Sequence, residues 1–117
     1  MLLLHYPSWT SSRKAKKWLD ETGVSYELRL IHKDNPKANE VKEWMAKSGL
    51  ELKRFFNVNG KLFKEMNLKE KWDSLSEDEL LAILESDGMI HKRPVLVGDD
   101  FVLAGFKQAE WEAKISE

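Results

Sequence analysis

Three hydrophobic periods follow one another within residues 1–31, and few architectures accept that order. Leu2-Leu3-Leu4-His5-Tyr6 is a short apolar run stopped by Pro7, as expected of a buried strand that must give way to a loop. From Ser11 or Ser12 to Thr22 the spacing turns helical: Ala15, Trp18 and Leu19 share a face, a serine or Thr10 is placed to cap, and Gly23 follows the end. Val24 to Ile31 then alternates apolar and polar residues with period two, the pattern of a strand half covered by protein. The chain therefore begins β-α-β.

Beyond the turn-forming Asp34-Asn35-Pro36, Val41, Trp44, Met45 and Ser48 fall on one stripe of a second helix that Gly49 stops. Leu52 to Asn57 and Leu62 to Met66 read as short helical turns around a tight Asn59-Gly60 bend. Ser76-Glu77-Asp78-Glu79 is a capping box ahead of Leu80, Leu81, Ile83 and Leu84, and Gly88 is expected to end that helix. Two β-rich runs, Arg93 to Gly98 and Phe101 to Ala104, are joined by Gly98-Asp99-Asp100 and predict an antiparallel hairpin. A last helix is expected from about Lys107, giving the order βαβ, helices, ββα.

The 117 residues predict a single domain, with 42% hydrophobic and 33% charged residues as a folded globule requires. A net charge of −1 gives no global field toward nucleic acid or anionic lipid, although Arg13-Lys14-Ala15-Lys16-Lys17 forms a local basic cluster. Met1-Leu2-Leu3-Leu4 is too short for a secretory leader and no apolar run approaches a membrane span, so a cytoplasmic protein is expected. The chain has no cysteine, which removes disulfides, thiolate metal sites and thiol catalysis together. His5, His32 and His91 lack metal-ligand spacing, and neither a metal nor a cofactor is expected.

Three segments taken together, HYPSWTSSRKAKKWLDETGVSYE, LKRFFNVNGKLFKEMNLKEKW and DGMIHKRPVLVGDDFVLAGFKQAEWE, resemble the arsenate reductase (ArsC)/Spx family over nearly the full chain. The resemblance implies an α/β, thioredoxin-like βαβ…ββα fold with a mixed four-stranded sheet and a helical insertion at roughly residues 36–88. Family members carry a redox cysteine in a loop reading roughly Tyr-Pro-Lys-Cys-x-x-Cys-Arg-Lys-Ala. Aligning Tyr6-Pro7 and Arg13-Lys14-Ala15 puts Trp9 at the first cysteine and Ser12 at the second. Arsenate reduction of the family kind needs a thiolate that attacks and then cycles through disulfide exchange, and neither an indole nor an alcohol can do so.

What the loop keeps is a helix start, where free N–H groups at Thr10 to Arg13 and the hydroxyls of Thr10, Ser11 and Ser12 favour an anion. The resemblance makes Pro94 the cis-proline facing this loop, puts Arg93 beside it, and sets Arg54 where reductase relatives hold their oxyanion. Trp9 either plugs the former pocket or anchors an interface from the surface. A serine nucleophile assisted by His5 has no evident orienting acid and no Gly-x-Ser-x-Gly elbow.

The leading expectation is a redox-inactive binding or regulatory protein with no catalytic residue. By analogy with Spx, the protein partner is RNA polymerase, met through protein contacts and without direct nucleic-acid binding. The alternative is a thiol-independent enzyme or a binder of an oxyanion or phosphate ligand using the serine-rich helix start and Arg93. A stability-only remnant is the third reading.

Overall fold

A computed structural model describes residues 1–116. The elements run β1 (Leu2–His5), α1 (Thr10–Thr22), β2 (Glu27–Leu30) and α2 (Ala38–Ser48). A 3-10 turn (Leu52–Phe55), α3 (Lys61–Glu65), α4 (Leu68–Lys71), a second 3-10 turn (Trp72–Ser74) and α5 (Glu77–Ser86) follow. A third 3-10 turn (Gly88–Ile90) leads into β3 (Val95–Val97), β4 (Val102–Ala104) and α6 (Gln108–Ile115). The mixed sheet has the order β2-β1-β3-β4, with β1 parallel to β2 and antiparallel to β3.

Register explains why the sheet is apolar on both faces. Leu3 lies opposite Leu96, and Leu96 opposite Leu103, so the pleat sends all three to one side, where they pack on Ala15 and Leu19 of α1 and Trp111 of α6. Their neighbours Leu4, Val95, Val97, Val102 and Ala104 face the other side and are covered by residues 38–90, chiefly Val41, Trp44, Phe55, Phe56, Leu81 and Leu84. Full burial of each such aliphatic or aromatic side chain stabilises by about 1.5–3 kcal/mol.

Several details differ from the sequence reading. The alternating run from Val24 yields strand only at Glu27–Leu30, because β2 is an edge strand held by β1 alone, and its Leu28 stays 43% exposed. No hydroxyl caps α1: Trp9 takes the cap position in extended backbone, with Thr10 already the first helical residue. Gly88 does not end α5. That helix stops at Ser86, Asp87 is extended, and Gly88 opens the next turn because any Cβ there would collide with the Ile31 carbonyl.

The Ser76 box forms as expected, with Ser76 Oγ accepting the Glu79 N–H at 3.1 Å and Glu79 Oε1 accepting the Ser76 N–H at 3.0 Å. Gly23 and Gly49 take the left-handed conformation that closes α1 and α2, at φ 78° and 74°. Among the described residues no helix is long and apolar enough to cross a membrane.

Candidate functional site

The loop from β1 to α1 is organised by one inward hydroxyl. Ser12 shares the buried stripe of α1 with Ala15 and Leu19, so its side chain points under the loop and has no exposed surface. Its Oγ accepts the Tyr6 N–H at 3.0 Å and lies 2.7 Å from His5 Nδ1. His5 is itself almost wholly buried. Burial, helped by the charge of Lys16, holds its pKa below the usual histidine value.

The Ser12–His5 pair therefore has hydrogen-bonding geometry, but the hydroxyl that would have to attack has no exposed surface. Asp20, whose charge His5 feels, hydrogen-bonds Lys16 and Tyr26 instead of the imidazole. With no acid orienting the histidine among the described residues and the Ser12 oxygen buried, the arrangement braces the loop.

Trp9 is bonded into the loop through its backbone, donating to Tyr6 O at 3.0 Å while its own carbonyl accepts the Arg13 N–H at 3.0 Å. Its indole is 42% exposed, yet it also covers Arg93, whose guanidinium carbon lies 4.9 Å from the Trp9 ring centroid and 5.1 Å from that of Tyr6. Trp9 thus serves as a lid on the arginine and as an exposed apolar surface at once.

Arg93 is only 6% exposed and precedes Pro94 through a cis peptide bond. Its Nη1 donates to Met89 O at 2.8 Å and His91 O at 3.2 Å, whereas Nε is buried with no partner among the described residues. Burial pulls the guanidinium below its ordinary pKa, and among the described residues no carboxylate pairs with it.

Long-range pairing brings a second arginine to the same place. Phe56 and His91 form an isolated antiparallel bridge, Lys92 N donates to Phe55 O and Asn57 N to Ile90 O, each at 2.8 Å. These bonds set the basic pair Lys53-Arg54 beside the basic pair Lys92-Arg93. The resulting cleft, about 480 Å³, is lined by both pairs, by Lys107 at the start of α6, and by Trp9 and Ser11.

The remaining candidates lie elsewhere. Thr10 joins Trp9, Ser11 and Lys14 around a smaller hollow of about 260 Å³. Arg13 folds back on the loop, donating to Pro7 O at 3.0 Å and toward Thr10 Oγ1 at 3.4 Å, and faces a different hollow beside His5, Lys16 and Lys17. Lys16 pairs with Asp20 at 2.9 Å, which offsets part of the positive charge at the start of α1. The sequence reading did not single out Lys53, Lys92 and Lys107 as lining residues. The adjacent Lys-Arg dipeptides carried the available signal.

Behind the cleft, His91 is fully buried, and because its Nδ1 lies 2.7 Å from the Lys92 carbonyl, that nitrogen carries the proton and donates it. Its Nε2 has no partner among the described residues. Burial pulls the pKa down to about 4.

A βαβ…ββα sheet with a cis Arg93–Pro94 bond, whose arginine lies against Tyr6 and Trp9 of the β1–α1 loop, defines a thioredoxin-like protein, and the comparisons narrow the class. The ArsC family model matches residues 4–114, and the chain belongs to the ArsC family. It is 46% identical over 107 residues to the uncharacterized protein YusI of Bacillus subtilis, covering 92% of this chain and 91% of the relative. The global transcriptional regulator Spx 1 of Bacillus cereus is 29% identical over 104 residues, 89% of this chain and 78% of the relative. The crystal structure of an ArsC family related protein from Bacteroides fragilis superposes with a TM-score of 0.90 at 46% identity, covering 96% of this chain and 94% of that one.

Proposed function

We propose that this ArsC-family chain is a redox-inactive binding protein that regulates a protein partner in the cytoplasm. The observation that carries the reading is the state of the loop: at the two positions where relatives hold thiols stand an indole lying on Arg93 and a buried serine bonded to His5 and the Tyr6 N–H. Neither group can form and break a disulfide, so no electron route of the family kind runs through the loop. The cleft beside it keeps its arginines and is open to solvent.

Two observations support a macromolecular partner. Exposed Trp9 beside Lys and Arg side chains has the composition of an interface hot spot. The similarity to Spx regulators supplies the first partner to try, RNA polymerase. A small oxyanion is the second reading, favoured by the basic side chains of Lys53, Arg54, Lys92, Arg93 and Lys107 around one cleft.

Purified chain and purified RNA polymerase, mixed and followed by sedimentation, are expected to form a stoichiometric complex that Trp9→Ala weakens, with the chain failing to catalyse reduction of a disulfide substrate by added glutathione. Turnover of that substrate above the buffer rate would remove the regulatory reading. Saturable phosphate or arsenate binding without any complex would favour the oxyanion reading.

A further inference from the structure

The cleft has a charge that the molecule as a whole does not have. Lys53, Arg54, Lys92, Arg93 and Lys107 line it and, among the described residues, no aspartate or glutamate does, although the chain carries 20 acidic and 19 basic residues. Gathering like charges is unfavourable unless an anion answers them, and Arg93, already desolvated, feels that cost most. Its buried Nε, with no acceptor among the described residues, marks a donor left over after the fold has satisfied the rest of the group.

The cleft is also large and partly apolar. At about 480 Å³ it falls within the roughly 300–1,000 Å³ of sites that take multi-atom ligands, beyond the needs of a single tetrahedral ion. Two of the four exposed large apolar side chains of the described residues, Trp9 and Val58, stand on its walls. A neighbouring hollow across Trp9 and Arg93 carries Glu65 and Asp87, so the purely positive surface ends at that ridge.

From this juxtaposition, and resting on the binding-protein reading above, we propose that the cleft docks an acidic peptide segment of a partner protein, one that interleaves carboxylates with an apolar side chain. The carboxylates meet Arg54, Lys92 and Lys107 in charge-assisted hydrogen bonds within the field of the buried Arg93 charge, and the apolar side chain covers Trp9 and Val58. A nucleic acid fits less well, because a strand leaving the cleft would run over a surface whose remaining charge is net negative.

The test uses a short fluorescein-labelled peptide of alternating glutamate and leucine, its glutamine-for-glutamate counterpart, a single-stranded oligothymidylate and inorganic phosphate, read by anisotropy or competition. The chain is compared with Arg54→Glu/Lys107→Glu, a pair of changes at exposed positions whose folding is checked by a melt. Saturable binding of the glutamate peptide is expected, weakened about tenfold or more by the double variant and by raised salt, with the glutamine peptide not binding.

Equal binding of the glutamine peptide, indifference to the charge reversal, tighter binding of oligothymidylate, or no saturable peptide binding would each overturn the proposal. Those results leave the redox-inactive reading standing. That reading falls to disulfide-substrate turnover, which peptide binding neither requires nor forbids.

Discussion

The ring centroid of Trp9 lies 4.9 Å from the guanidinium carbon of Arg93, so the exposed indole at the head of α1 covers the most buried cation of the site. A desolvated cation–π contact of this kind contributes about 1–2 kcal/mol. The contact leaves the outer face of the indole exposed.

Trp9→Ala is therefore expected to lower unfolding stability by about 1 kcal/mol and to raise affinity for inorganic phosphate, because Arg93 becomes open to solvent. Urea unfolding and phosphate titration check both arms together. Trp9→Cys should place a thiol beside Arg93 at the head of α1, with an alkylation midpoint below the free-cysteine value of about 8.5.

Ser12→Ala removes the one oxygen that serves both His5 Nδ1 and the Tyr6 N–H. Leaving these buried groups unpaired is expected to cost about 1–3 kcal/mol in urea unfolding, with little change in peptide binding because Ser12 has no exposed surface.

Acid should destabilise the fold through His91. Its folded pKa is about 4 against 6.5 for a free histidine, so between these values the unfolded chain binds the proton and the folded chain does not. Stability is then full above pH 6.5 and falls as pH drops toward 4, by on the order of 3 kcal/mol from this group. His5 is shifted in the same direction and adds to the slope. His91→Phe, which suits the aromatic packing of Trp44 and Phe55, is expected to flatten unfolding free energy measured across that window.

Gly88→Ala tests the contact between the turn before β3 and the end of β2. The added Cβ meets the Ile31 carbonyl, and the required backbone shift is expected to cost about 1–3 kcal/mol by thermal or urea unfolding.

Local pattern carried much of the fold and little of the site. β3 and β4 were legible because continuous apolar residues flank Gly98-Asp99-Asp100, and α5 because Ser76 and Glu79 form a reciprocal cap. The orientation of Ser12 was available too, since it follows the spacing of Ala15 and Leu19. Reading it as a capping hydroxyl overlooked that stripe. The resting place of Trp9 had no local signal, because its partner Arg93 belongs to the other half of the chain. The cleft likewise depends on the Phe56–His91 bridge, a pairing between distant segments that no short window encodes.

Side-by-side arsenate reduction by the wild-type chain and Trp9→Cys, supplied with glutathione and glutaredoxin, tests the central claim most directly. The wild type should give the rate of buffer alone, whatever the variant does. Sustained wild-type turnover above that rate would contradict the claim that this fold has exchanged electron transfer for recognition.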